Sequence, residues 1–104
     1  MSGANPARGE AALAVGGETL VLRPSFEALV AAEGELGSLF ALVERAAEGR
    51  LTLAETAALF WHCVKERGEG LTREHVGAAV AELGLARVAP VLKLLLQQIL
   101  QGRV

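Results

Sequence analysis

Residues 9–23 read Gly9-Glu-Ala-Ala-Leu-Ala-Val-Gly-Gly-Glu-Thr-Leu-Val-Leu-Arg23, two short apolar runs with a Gly-Gly pair between them. Both central residues of a two-residue hairpin turn need positive φ, which glycine adopts without strain. The stretch therefore predicts an antiparallel β-hairpin, with Leu13 and Val15 on one face and Leu20 and Leu22 opposite them. Because an isolated hairpin is marginal in water, we expect it to pack on helices.

Downstream of the hairpin, residues 24–101 carry repeated helix signals. Ser25, Thr52 and Thr72 are suitable N-caps, and Thr52 with Glu55 three residues later forms a predicted capping box. Glycines close the predicted helices, which span about 25–34, 37–49, 52–68, 72–84 and 85–100. The fold class is thus mainly α: an N-terminal β-hairpin packed on a compact bundle of about four to five short helices. We expect residues 1–8 to be a disordered lead-in and residues 9–104 to form a single domain, with hairpin 9–23 and helical part 24–101.

The apolar spacing also predicts which helical faces are buried. Phe26, Leu29 and Val30 form the predicted face of the first helix, and Leu53, Ala57, Phe60, Trp61 and Val64 that of the third. All four aromatic residues (Phe26, Phe40, Phe60 and Trp61) are expected on apolar faces, which leaves no stacking platform for nucleic-acid bases.

Composition excludes several function classes. The 104-residue chain has a net charge of −2, and its ten Lys and Arg residues are scattered. We therefore expect no binding to nucleic acid or to an anionic membrane. A lone cysteine, Cys63, cannot form an intramolecular disulfide, which favours a cytoplasmic location. No apolar run approaches the roughly 18–20 residues that span a bilayer.

Catalytic and metal sites are not predicted. His62 and Cys63 are adjacent, so on a helix they point about 100° apart, and Cys63 is expected to be a small core residue. His62 and Glu66 share a helical face and are expected to pair, but a structural zinc site needs four ligands. Neither an enzyme nor a cofactor is predicted.

A calcium-binding loop is a further hypothesis for the segment around Gly49. With Gly49 at the sixth position of an EF-hand loop, Glu44, Ala46, Glu48 and Glu55 would occupy positions 1, 3, 5 and 12. Ala46 cannot bind calcium, so we interpret the segment as a helix–turn–helix connection.

The last predicted helix is apolar nearly all round. Val88, Val91, Leu92, Leu95 and Ile99 fill one face, whereas Leu94, Leu96 and Leu100 lie off that face. A helix of this kind is either deeply buried or docked on a second molecule, and a chain of this size has little mass to cover it. The sequence therefore predicts Leu94, Leu96 and Leu100 as partner-binding residues, either for another protein or for a second copy of the chain.

Several phrases carry a resemblance to a known family. They are the opening Asn5-Pro6-Ala7-Arg8-Gly9-Glu10, then Leu22-Arg23-Pro24-Ser25-Phe26-Glu27-Ala28-Leu29 with Glu33 and Leu36-Gly37, and later Gly49-Arg50-Leu51-Thr52 and Gly70-Leu71-Thr72. From Asn5 to about Gly102 the chain resembles the gene transfer agent small tail proteins, which are described as phage tail tube proteins or as tail-assembly-chaperone-like.

This resemblance implies a gene in a prophage-like cluster and a role in building the tail of a phage-like particle. The expected partner is the tape measure or the tail tube protein, and the expected location is the cytoplasm or the particle itself. Tube subunits are rich in β-structure, which two short strands cannot supply, so the chaperone or adaptor role fits the helical pattern better. The alternative is a small helical regulatory or EF-hand-like protein-binding module without calcium.

Overall fold

A computed structural model describes residues 10–15 and 17–101 of the chain, and within them the predicted hairpin is present. Strand β1 (Ala11–Val15) pairs antiparallel with β2 (Glu18–Leu22), and Leu13 lies opposite Leu20. Gly17 has a φ of +83°, a conformation that glycine adopts readily. The predicted lead-in 1–8, with Gly9, Gly16 and residues 102–104, lies outside the described residues.

Five helices follow the hairpin within the described part of the chain, which confirms the mainly α fold class. They are α1 (Phe26–Leu36), α2 (Leu39–Ala47), α3 (Leu53–Cys63), α4 (Arg73–Leu83) and α5 (Leu85–Gln101). Pro90 lies inside α5, where its missing N–H cannot bond the carbonyl of Ala86.

Side-chain caps begin the first four helices. The Ser25 hydroxyl accepts from the Ala28 N–H at 3.1 Å, as predicted. The capping box of Thr52 and Glu55 is present, with each side chain accepting from the other's backbone N–H. Thr72 caps α4 as predicted, and His75 completes a second box there. Each cap satisfies N–H groups that a helix start leaves without partners.

The prediction for α1 was wrong in two respects. The helix continues through Gly34 and ends at Leu36, where Gly37 has a φ of +84° and supplies the C-cap. Its buried face also differs in part: Leu29 packs against the core as predicted, but Phe26 is 84% exposed and Val30 is exposed. In place of Phe26 and Val30, the helix turns Ala28, Ala32 and Leu36 towards the core.

The end of α3 was also predicted wrongly. The helix stops at Cys63 rather than near Gly68, because the following residues pair with the hairpin. Val64 forms a bridge with Leu22, and the Arg23 N–H donates to the Cys63 carbonyl at 2.7 Å. The chain therefore leaves α3 as a short extended segment along the end of β2.

The core surrounds α3. Leu59, Phe60 and Cys63 are buried, and Leu13 and Leu22 of the hairpin are part of the same cluster. Helices α1 and α4 both pack against α3, while α5 packs against α4 and β1. Leu53, which was predicted on the buried face of α3, is exposed.

Candidate protein-binding surfaces

The predicted partner-binding leucines lie on α5 but do not share one face. Leu95 is completely buried, so successive positions at about 100° place Leu94 on one side of it and Leu96 on the other. Leu100 follows Leu96 by one turn. Leu94 is 41% exposed and Leu100 is 59% exposed, whereas Leu96 is half-buried against the core. The two exposed leucines thus flank the buried stripe of α5.

Sequence reasoning missed two exposed aromatic residues. Phe26 at the start of α1 and Phe40 in α2 were predicted on apolar faces, yet Phe40 is 79% exposed and Phe26 more so. Val30 follows Phe26 by one turn, so these two side chains lie on the same outer face of α1. The sequence does contain a signal for the face that is buried. A second apolar stripe with helical spacing runs along α1, and the helix buries this one: Ala28, Leu29, Ala32 and Leu36.

The chemistry of Cys63 is that of a core residue. The thiol is buried, and this burial raises its pKa to about 12. The thiolate is the nucleophilic form of cysteine, so a buried thiol with a raised pKa is unreactive near neutral pH. The structure therefore places Cys63 in the core, as predicted.

His62 has a different partner from the one predicted. Its Nε2 lies 2.8 Å from Glu35 Oε1 of α1, and not beside Glu66, which belongs to the segment beyond the end of α3. Arg73 of α4 donates to the other oxygen of Glu35 at 2.5 Å. The hydrogen bonds from Arg73 and His62 lower the pKa of Glu35 from 4.5 to about 2, and the same carboxylate raises the pKa of Arg73. This network connects α1, α3 and α4.

Within residues 10–15 and 17–101, no three His, Cys, Asp or Glu side chains come together as a group that could hold a metal ion. Among the helices described, none is both long and apolar enough to cross a bilayer.

The described residues thus form a small, mainly helical protein with an N-terminal hairpin and several exposed apolar side chains. The family model for the phage tail tube protein GTA-gp10 matches residues 8–102. The chain therefore belongs to this gene transfer agent and phage tail family, as the sequence phrases predicted. No curated protein and no solved structure shows significant similarity to the chain.

Proposed function

We propose that the protein is a tail-assembly adaptor, or chaperone, that binds the tape measure or the tail tube protein of a phage-like particle. The observation that carries this proposal is the family match over residues 8–102 on a fold that is helical over most of its described length. A tube wall is built from continuous β-sheet, whereas the described residues contain one two-stranded sheet. An adaptor that binds and then hands over a partner needs no such sheet.

Binding, rather than catalysis, is the mode of action that the side chains support. Cys63 is buried, and His62 is engaged with Glu35. By contrast, Leu94 and Leu100 of α5 hold apolar side chains in solvent, an arrangement that favours an interface. We assign Leu94 and Leu100, which flank the buried stripe of α5 on opposite sides, together with half-buried Leu96 to the partner-binding surface. The protein would meet its partner in the cytoplasm of the producing cell.

Co-purification with the tail proteins of the same gene cluster tests this function. We expect the protein to co-elute from size-exclusion chromatography with the tape measure or the tube protein. The variants Leu94→Lys and Leu100→Lys should each lower the amount of complex recovered by about tenfold or more. In each variant a charge would replace an apolar side chain that the bound partner covers. Leu96→Lys is a poorer probe because Leu96 also packs on the core.

Leu85→Lys provides a matched control. Leu85 is on the same helix and 68% exposed, but it is the first residue of α5 and lies well before Leu94 and Leu100. It should leave co-elution unchanged, and circular dichroism should show all three variants folded. Absence of a complex with every tail protein of the cluster would contradict the adaptor function. A complex that tolerates both leucine substitutions would place the interface elsewhere on the protein.

A further inference from the structure

A cleft of about 470 Å³ lies between the start of α1 and the segment that follows α3. Basic residues outnumber acidic ones in its lining: Arg23, Lys65 and Arg67 contribute three of the chain's ten Lys and Arg residues, and His62 also lines the cleft. Glu27 is the one acidic side chain in this lining. This local excess of positive charge stands out in a chain whose net charge is −2.

The backbone holds the basic residues in place. Arg23 follows β2, and its N–H donates to the Cys63 carbonyl at 2.7 Å. The Lys65 N–H donates to the Val21 carbonyl at 2.9 Å. The end of β2 and the segment after α3 are thus paired, which brings Arg23 to the same cleft as Arg67 although they are far apart in the sequence.

Two of the three cationic side chains have no carboxylate partner in the described part of the chain. Lys65 pairs with the buried Glu10 at 3.2 Å, so its charge is compensated. Arg67 lies over the Trp61 ring at 4.3 Å and donates to the Trp61 carbonyl at 3.1 Å, and neither contact neutralises its charge. The Arg23 guanidinium makes no hydrogen bond or ion pair with any described residue. Arg23 and Arg67 are therefore available to an anion.

We infer that this cleft binds a carboxylate-rich segment of a partner protein, with Arg23 and Arg67 as the recognition residues. A guanidinium group binds a carboxylate through two parallel N–H donors, which suits aspartate and glutamate side chains. Nucleic acid is disfavoured because its affinity depends on neutralising many phosphates, and this chain offers two free cations in the cleft and a negative net charge. The inference rests on the proposed function in one respect, namely that the segment belongs to a partner protein.

A peptide titration tests the cleft by itself. The probe is a fluorescein-labelled peptide of alternating glutamate and glycine, and its control is the corresponding glutamine and glycine peptide. We expect saturable anisotropy with the glutamate peptide, weakening as salt is raised, and no binding of the glutamine peptide. Trp61 is the chain's single tryptophan and lies under Arg67, so its fluorescence should also change when the glutamate peptide binds.

Charge-neutralising variants identify the residues. Arg23→Gln and Arg67→Gln should each weaken peptide binding about tenfold or more, as expected for loss of a charged hydrogen-bonding partner. Arg50→Gln and Arg87→Gln remove the same charge from exposed positions outside the cleft and should have little effect.

Three results would overturn the inference: no binding of the glutamate peptide, equal effects of all four arginine variants, or tighter binding of a labelled oligothymidylate than of the peptide. Failure of the cleft and failure of the adaptor function are distinguishable. If the protein co-elutes with a tail protein but does not bind the glutamate peptide, the inference about the cleft is wrong and the adaptor function stands. A protein that binds the peptide through Arg23 and Arg67 but captures no tail protein retains the cleft and loses the proposed function.

Discussion

Helices α3 and α5 have similarly apolar sequences but different surroundings. Six of the 11 residues of α3 are buried, whereas only two of the 17 residues of α5, Val88 and Leu95, are buried. The cause is the number of neighbours: α3 lies between α1 and α4, and its C-terminal extension pairs with the hairpin, while α5 packs on α4 and β1. Apolar content alone therefore does not determine burial in this protein.

The difference in burial between α3 and α5 distinguishes apolar residues that form the core from apolar residues that face solvent. The buried apolar residues of α3, such as Leu59 and Phe60, stabilise the fold because neighbours on several sides remove them from water. Those of α5 divide into a buried stripe centred on Leu95 and flanking leucines in solvent. If this division is correct, substitutions of buried residues in α3 should lower the free energy of unfolding. Substitutions of the exposed leucines of α5 should instead weaken partner binding.

The largest expected effect is that of Phe60→Ala in α3. Phe60 is completely buried, so the substitution removes a large apolar side chain and leaves a cavity. We expect the free energy of unfolding to fall by about 3–5 kcal/mol, measured by urea denaturation. Phe40→Ala is the matched control, because Phe40 is 79% exposed, and it should change stability by less than about 0.5 kcal/mol. Equal losses for the two variants would contradict the placement of α3 at the centre.

A smaller effect is expected within α5, where Leu95→Ala should lower the free energy of unfolding by about 2–4 kcal/mol. Leu95 is buried, and its neighbour Leu94 is 41% exposed. Leu94→Ala should therefore cost clearly less, under about 1 kcal/mol, in the same denaturation experiment. The two variants test the division of α5 directly, because both residues are leucines of one helix and only Leu95 faces the core. A Leu94 variant as unstable as the Leu95 variant would mean that α5 is enclosed on both sides.

Local signals in the sequence were sufficient for much of this fold. The Gly-Gly turn between alternating runs predicted the hairpin, and hydroxyl side chains at helix starts predicted the caps at Ser25, Thr52 and Thr72. These features depend on residues within a few positions of one another, so they can be identified without knowledge of the tertiary structure. The family resemblance was likewise carried by short phrases.

Features that depend on distant residues were not predictable in the same way. The end of α3 is set by the bridge of Val64 to Leu22, and the partner of His62 is Glu35, 27 residues away. On α1, two apolar stripes have helical spacing, and tertiary packing chose the one with Ala32 over the one with Phe26. The arginine cleft has the same origin, because the pairing of two distant segments assembles it.

The smallest expected effect concerns the ion pairs that connect α3 and α4 to α1, contacts in which α5 takes no part among the described residues. Glu35 binds His62 and Arg73, and its pKa is about 2 in the folded protein against 4.5 for the free side chain. A lowered pKa means that the ionised form stabilises the fold above about pH 4.5, and that this contribution is lost as the pH falls towards 2. Because Glu35 is solvent-exposed, screening limits the contribution to about 1 kcal/mol or less.

Glu35→Gln should therefore be less stable than the unmodified protein at pH 7, and the difference should shrink on acidification. Denaturation at a series of pH values measures it, with Glu44→Gln on the exposed side of α2 as the control. A difference that stays constant between pH 7 and pH 2 would show that Glu35 acts through packing, and the ion pairs would then not distinguish α3 from α5.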